Sequence, residues 1–177
     1  MLGKYFTEDQ TLHFRHLQAT TGMIISGSAA LQFFQRVLYP ESDLDLYVDH
    51  RYRQPIALWL ASIGYRYVPA PPYTLTPEHQ DAADRVSSTY PTLEEALAAV
   101  VPPIPGYPIY FNLHPNISFR TLSGGGYADA ASILNFEKRD KYHGHCKIQI
   151  ICSPLSPVEM ILNYHSCAFF WSCWLQR

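Results

Sequence analysis

The chain has 177 residues, 47% of them hydrophobic and 16% charged, with a formal net charge of −2 when its eight histidines are neutral. That length suits one domain with a proper core and is short for two. The near-neutral balance gives no general pull toward nucleic acid, which argues against a template-using polymerase or an RNA-tailing enzyme, both of which carry a basic face.

Met1 to Asp9 lacks the apolar core of a signal peptide, and no apolar run approaches the length of a membrane helix. Four cysteines (Cys146, Cys152, Cys167, Cys173) show no paired spacing, so reduced thiols in the cytoplasm or nucleus, and not secretion, are the expectation.

Taken in order, residues 7–19 read as a helix with Thr7 as cap and Gln10 completing a capping box. Thr20-Thr21-Gly22 turns into a strand over 23–26, and Gly27 permits a close backbone turn. Ser28 is placed to cap a helix over 29–38 with Ala30, Phe33, Phe34 and Val37 as its apolar stripe, ended by Pro40. A strand over 43–48 follows. Pro55 opens a helix buried through Ile56, Leu58, Trp59, Leu60 and Ile63, Gly64 stops it, and Tyr65 to Val68 is a short strand. Thr92 and Glu95 bracket a capped helix over 92–101 inside a proline-rich stretch, about 69–116, that reads as an insertion or loop. A strand is expected over 117–122, a flexible turn at Gly124-Gly125-Gly126, and a further strand over 146–152. A helix then begins at Pro157, with Ser156 as cap and Glu159 in a capping box. The apolar end from Ala168 to Leu175 reads as a truncated or aberrant terminus of a single domain spanning 1–177.

The chemistry concentrates in two short stretches. In Met23-Ile24-Ile25-Ser26-Gly27-Ser28 a buried-strand pattern runs into Gly-Ser. Fifteen residues after Ser28, Ser42-Asp43-Leu44-Asp45-Leu46-Tyr47-Val48 begins its carboxylate pair. Alternate strand residues share a face, so Asp43, Asp45 and Tyr47 point one way and Leu44, Leu46 and Val48 the other. Paired carboxylates repel unless cations lie between them, an arrangement suited to magnesium-dependent phosphoryl or nucleotidyl transfer. Gly27 lets the backbone approach phosphates, and the Ser28 hydroxyl and helix N–H groups donate to their oxygens. Ser42, grouped with these nucleotide-binding residues, orders the turn before the acids. Tyr47 stands where its ring could stack on a base.

Gly27-Ser28 and Ser42-Asp43-Leu44-Asp45 resemble the Gly-Ser and Asp-x-Asp signature of the nucleotidyltransferase superfamily that includes polymerase beta, and the wording is similar to its minimal and antibiotic-modifying members. The spacing is longer than in the shortest members by about one helical turn, and the helix–Gly–Tyr–strand passage to Val68, which in the family packs beside the carboxylate strand, extends the likeness. The resemblance implies an α/β (α+β) fold with a mixed twisted sheet flanked by helices. It implies a Mg2+ (or Mn2+) ion on Asp43 and Asp45, and transfer of a nucleoside monophosphate from an NTP such as ATP. The acceptor is then a small-molecule or protein hydroxyl.

The family's third carboxylate falls on Gln149, flanked by Ile148 and Ile150. An amide oxygen can ligate magnesium but brings neither charge nor a useful base. Glu137 or Asp140 would take its place in a different register. The alternative is a scaffold of this fold that binds a nucleotide or a protein partner without catalysis; a generic α/β interaction domain is a third reading. Lys138, Arg139, Lys141 and Lys147 form a loose basic group that could meet a triphosphate. His143-Gly144-His145-Cys146 carries metal donors without a second cluster and reads as a polar turn.

Overall fold

A computed structural model describes residues 2–37, 39, 42–69, 90–99, 132–140, 144–153 and 156–162. The elements are α1 (Glu8–Thr21), β1 (Ile24–Ser26), α2 (Gly27–Gln35), β2 (Leu44–Asp49), α3 (Arg53–Ser62), β3 (Arg66–Val68), α4 (Leu93–Ala98), β4 (Ser132–Asp140), β5 (Gly144–Ser153) and α5 (Pro157–Leu162). The five strands form one mixed sheet in the order β1-β2-β5-β4-β3. Only β2 and β5 run parallel; the other three pairings are antiparallel. The α/β class expected from the sequence is therefore what is observed.

One face of the sheet is apolar over its central part, with the polar Ser132, Lys138 and Asp140 at its margins. Ile25, Leu44, Leu46, Val48, Ile148, Ile150, Cys152, Leu134 and Phe136 pack there against Phe14 and Leu17 of α1 and Ile56, Ala57, Trp59 and Leu60 of α3. The segment before α1 belongs to this core: Leu2, Tyr5 and Phe6 are buried, and the Phe6 ring stacks on Phe14 at 5.0 Å and tilts against Trp59 at 5.3 Å. The other face is covered at one end, where Met160 and Ile161 of α5 meet Tyr47 and Ile151.

Local signals acted as expected at the starts of α1 and α4. Thr7 accepts from the Gln10 backbone N–H at 3.3 Å while the Gln10 side chain accepts from Thr7 at 3.1 Å, closing the box. Thr92 accepts from the Glu95 N–H at the start of α4, which ends at Ala98, short of the expected Val101. Other expectations need correction. In α2 the N-cap position belongs to Ser26, in extended backbone, and Ser28 lies inside the helix. The helix stops at Gln35 because Arg36 adopts a left-handed conformation with φ 55°. Phe33 and Val37 of its expected stripe are exposed; Ala30 of that stripe is buried, together with Ala29. In α3 Leu58 points to solvent and Ala57 inward.

The largest departure is β4. The stretch Ser132–Asp140 was not expected as a strand, yet it pairs with β5 along its full length, from Ser132↔Cys152 to Asp140↔Gly144. It takes the place beside β5 and leaves β3 at the edge, against β4, so the Tyr65–Val68 passage does not lie next to the carboxylate strand. The expected strand over 117–122, the triple glycine, the C-terminal end, and the proline-rich stretch apart from 69 and 90–99 lie outside the described residues.

Candidate functional site

The site is built where β1 turns into α2 against β2. Ser26 ends β1 in register with Asp45 of β2, so the turn residue Gly27 comes directly over that aspartate. Gly27 has φ 67°, a conformation costly for a residue with a Cβ. Space forbids one as well: a Cβ there would overlap Asp45 Oδ2 and lie 2.9 Å from its Cγ. The Asp45 carboxylate thus occupies the room left by the missing side chain. Ser28 follows, half-buried, in the first turn of α2.

Asp45 is 8% exposed. Burial, with the neighbouring Asp43 charge as the second cause, pushes its pKa up to about 7. Asp43 is half-buried just ahead of β2. Among the described residues no lysine, arginine or histidine forms an ion pair with either acid. Two adjacent carboxyl groups, one of them sealed from water and without a protein counter-charge, fit a divalent cation, whose charge would relieve both the repulsion and the desolvation. No third acid, histidine or cysteine joins them in a metal-holding group among the described residues.

Ser42 is buried and fully used by the protein. Its carbonyl accepts from Lys4 Nζ at 2.9 Å and from the Tyr5 hydroxyl at 2.7 Å. Its own hydroxyl lies 3.3 Å from the Tyr5 hydroxyl and accepts from Gln32 Nε2. The turn that delivers Asp43 is therefore held by the N-terminal segment and by α2. Lys4, Tyr5 and Gln32 were not anticipated from the sequence, because nothing local says that residues 38, 37 and 10 positions away in the chain meet Ser42.

Gln149 lies on β5 in register with Asp45, at the position expected for a third acid. Its Nε2 donates to Asn135 Oδ1 at 2.9 Å across the β4–β5 ladder, with Asn135 in register. A row Ser26–Asp45–Gln149–Asn135 thus crosses four strands on one face. Asn135 could have been noticed as a polar residue between Leu134 and Phe136, the mark of a strand with one apolar face.

The alternative acids do not replace Gln149. Asp140 sits on the opposite face, lining a cleft of about 130 Å³ with Lys4, Tyr65, Lys138 and Cys146. Glu137 shares the face of Asp45 but lies on β4, paired with Arg66 and with His145 Nε2 at 3.0 Å. Hydrogen bonds from Arg66 and then His145 hold its carboxyl below the usual range.

Three smaller expectations also change. Tyr47 is buried against Ile151, Met160 and Ile161 and presents no ring to a base. His145 serves Glu137, and the Cys146 thiol, buried, donates to the Lys4 carbonyl at 3.3 Å. The basic group divides: Lys138 donates to the Ile63 carbonyl on the far face, Arg139 and Lys147 lie on the face of Asp45, and Lys141 falls outside the described residues. No helix among the described residues is long and apolar enough to cross a membrane. Compared with family models, curated proteins and solved structures, the chain matches none.

Proposed function

We propose that this chain is a nucleotidyltransferase-type protein that binds a nucleoside triphosphate with Mg2+ and transfers the nucleoside monophosphate to a hydroxyl of a small molecule or protein. The observation that carries the reading is the seating of the buried Asp45 carboxylate against the Cα of Gly27, with Asp43 two residues ahead. A strand-to-helix turn beside an acid pair with no ion-pair partner among the described residues supports phosphate binding next to metal binding. When bound to the two aspartates, the ion supplies charge neutralisation for a triphosphate and acidifies a hydroxyl. Gly27 keeps the turn free of side-chain bulk, Ser28 offers a hydroxyl donor, and Asp45 is ionised above a pH of about 7. The Ser42 clamp fixes the backbone that carries Asp43, so less ordering is required on binding.

The Gln149–Asn135 amide pair favours a second reading, in which the site binds nucleotide and does not transfer it. A neutral amide gives the acceptor hydroxyl no base. Its neighbour can adapt, because an Asn135 turned by 180° would offer N–H to a carboxylate.

The test is calorimetric titration with each NTP, with and without Mg2+, on the wild type and on Asp43→Asn/Asp45→Asn. Magnesium-dependent binding in the wild type, weakened at least about tenfold in the variant, is expected. Equal binding by both proteins, or binding by neither, would remove the site assignment. Gln149→Glu then separates the two readings: transfer that appears only in this variant identifies a disarmed natural site.

A further inference from the structure

The face that carries Asp45 and Gln149 continues into a group of cationic side chains. Strand alternation and register place Lys147 and His145 of β5, Arg139 and Glu137 of β4, and Arg66 of β3 on that same face. The four basic side chains are exposed and Glu137 is half-buried, whereas α5 covers the other end of the face, over Tyr47 and Ile151.

Glu137 lies opposite Lys147 in register but turns to Arg66 and His145 and pairs with both. Lys147 and Arg139 are left without an ion-pair partner among the described residues. They are diagonal neighbours across the β4–β5 ladder, about 7–8 Å apart and within reach of one common anion for side chains of this length. Two like charges at neighbouring ladder positions repel, and an oxyanion between them would relieve the repulsion. An arginine beside a lysine suits a phosphate, which takes a planar fork and a point charge equally well.

The sheet order sets this pair apart from the phosphate-binding turn. Gly27 and Ser28 stand on the β1 side of Asp45; Lys147 and Arg139 stand on the β5 and β4 side. Two residues of strand rise and one strand spacing put the Lys147 backbone about 8 Å from that of Asp45. A ligand held on this flank would bring a group a few bonds away from its anion to the carboxylates without displacing a nucleotide from the other.

We infer that Lys147 and Arg139 form a subsite for the phosphate of a second, small-molecule ligand: a phosphate monoester that carries a free hydroxyl. Its dianionic charge matches the two uncompensated cations. Its role as acceptor rests on the nucleotide reading above; its binding does not.

The test titrates the full chain with glycerol 3-phosphate, with glycerol as the uncharged control. It is run on the wild type, on Lys147→Gln/Arg139→Gln and on Asp43→Asn/Asp45→Asn. Saturable binding of the phosphate and not of glycerol is expected, weakened about tenfold or more in Lys147→Gln/Arg139→Gln and kept in Asp43→Asn/Asp45→Asn. It should weaken with added salt and persist under saturating Mg-NTP. Both substituted basic side chains are exposed, so the variant should fold, which circular dichroism checks. No saturable binding by the wild type, unchanged binding in Lys147→Gln/Arg139→Gln, or displacement by NTP would overturn the subsite. Phosphate binding that holds while NTP binding fails would overturn the nucleotide reading alone.

Discussion

Asp45 and Asp49 stand four residues apart on β2, on one face of the sheet, and are 8% and 6% exposed. Their carboxyl groups are pushed in opposite directions. Burial and then the Asp43 charge drive Asp45 up to about 7. Burial also acts on Asp49, but Arg51 outweighs it: its backbone N–H and side chain both bond to the carboxylate, which is held below the usual range. Asp49 is thereby satisfied within its own turn, where it caps the short helical turn at His50–Tyr52. Among the described residues Asp45 has no such partner, and it lies against a glycine. The same side chain at the same depth is structural where the chain supplies its counter-charge, and chemically open where it does not.

The contrast can be broken at Gly27, with the largest expected effect. Gly27→Ala forces a Cβ into the Asp45 carboxylate and a left-handed backbone onto alanine, a loss of about 4 kcal/mol in urea unfolding. In an Asp45→Ala background the overlap with the carboxylate disappears, leaving only a tight 3.3 Å contact with the Cβ of residue 45, and the same substitution should cost about 1–2 kcal/mol, mostly the backbone part. Equal costs in both backgrounds would mean that Asp45 does not sit against Gly27.

A second measurement sharpens the difference in protonation. With a folded-state pKa raised from 3.8 to about 7, Asp45 holds a proton in the folded protein over a range where the unfolded chain has lost it. Stability from this group is full below the unfolded value and declines as pH rises through about 7. In metal-free buffer the wild type should therefore lose on the order of 2–4 kcal/mol relative to Asp45→Asn between pH 4 and pH 8. Mg2+ should reduce that loss, since it favours the ionised form. A difference that stays flat with pH would rule out a perturbed Asp45.

The smallest effect is expected at the paired acid. Asp49→Ala removes a cap and a carboxylate that Arg51 satisfies, costing about 1 kcal/mol. Its contribution has the opposite sign in pH: present at neutral pH and lost as acid titrates a carboxyl held low. NTP binding measured on this variant should match the wild type, because Asp49 lies at the far end of the strand.

How much of this was legible in advance depends on the range of the interaction concerned. The capping box at Thr7 and Gln10 joins residues three apart, and β2 announces itself by alternation; both were readable in a short window. So was the position of Gln149 on a strand, through the apolar residues on either side of it. β4 was not: its inward residues Leu134 and Phe136 are followed by Glu137-Lys138-Arg139-Asp140, whose charges read as a solvated loop. Only pairing with β5 accounts for them as strand residues, Arg139 exposed and the other three half-buried. The burial of Tyr47 was hidden for a related reason, since α5 is more than a hundred residues further along the chain.

By itself the sequence determined which residues could turn, cap and alternate, and hence the Gly-Ser turn, the acid-bearing strand and the mixed α/β class. Those properties are set by backbone sterics and by side-chain patterns over a few residues. Only the tertiary structure decided that Asp45 would be buried with no counter-charge among the described residues, that Gln149 would be tied to Asn135, and that Lys147 and Arg139 would share the face of the carboxylates. Each of these depends on strand order and register, which bring together groups from distant parts of the chain; protonation and pairing follow from the neighbours so assembled, not from the residue type alone.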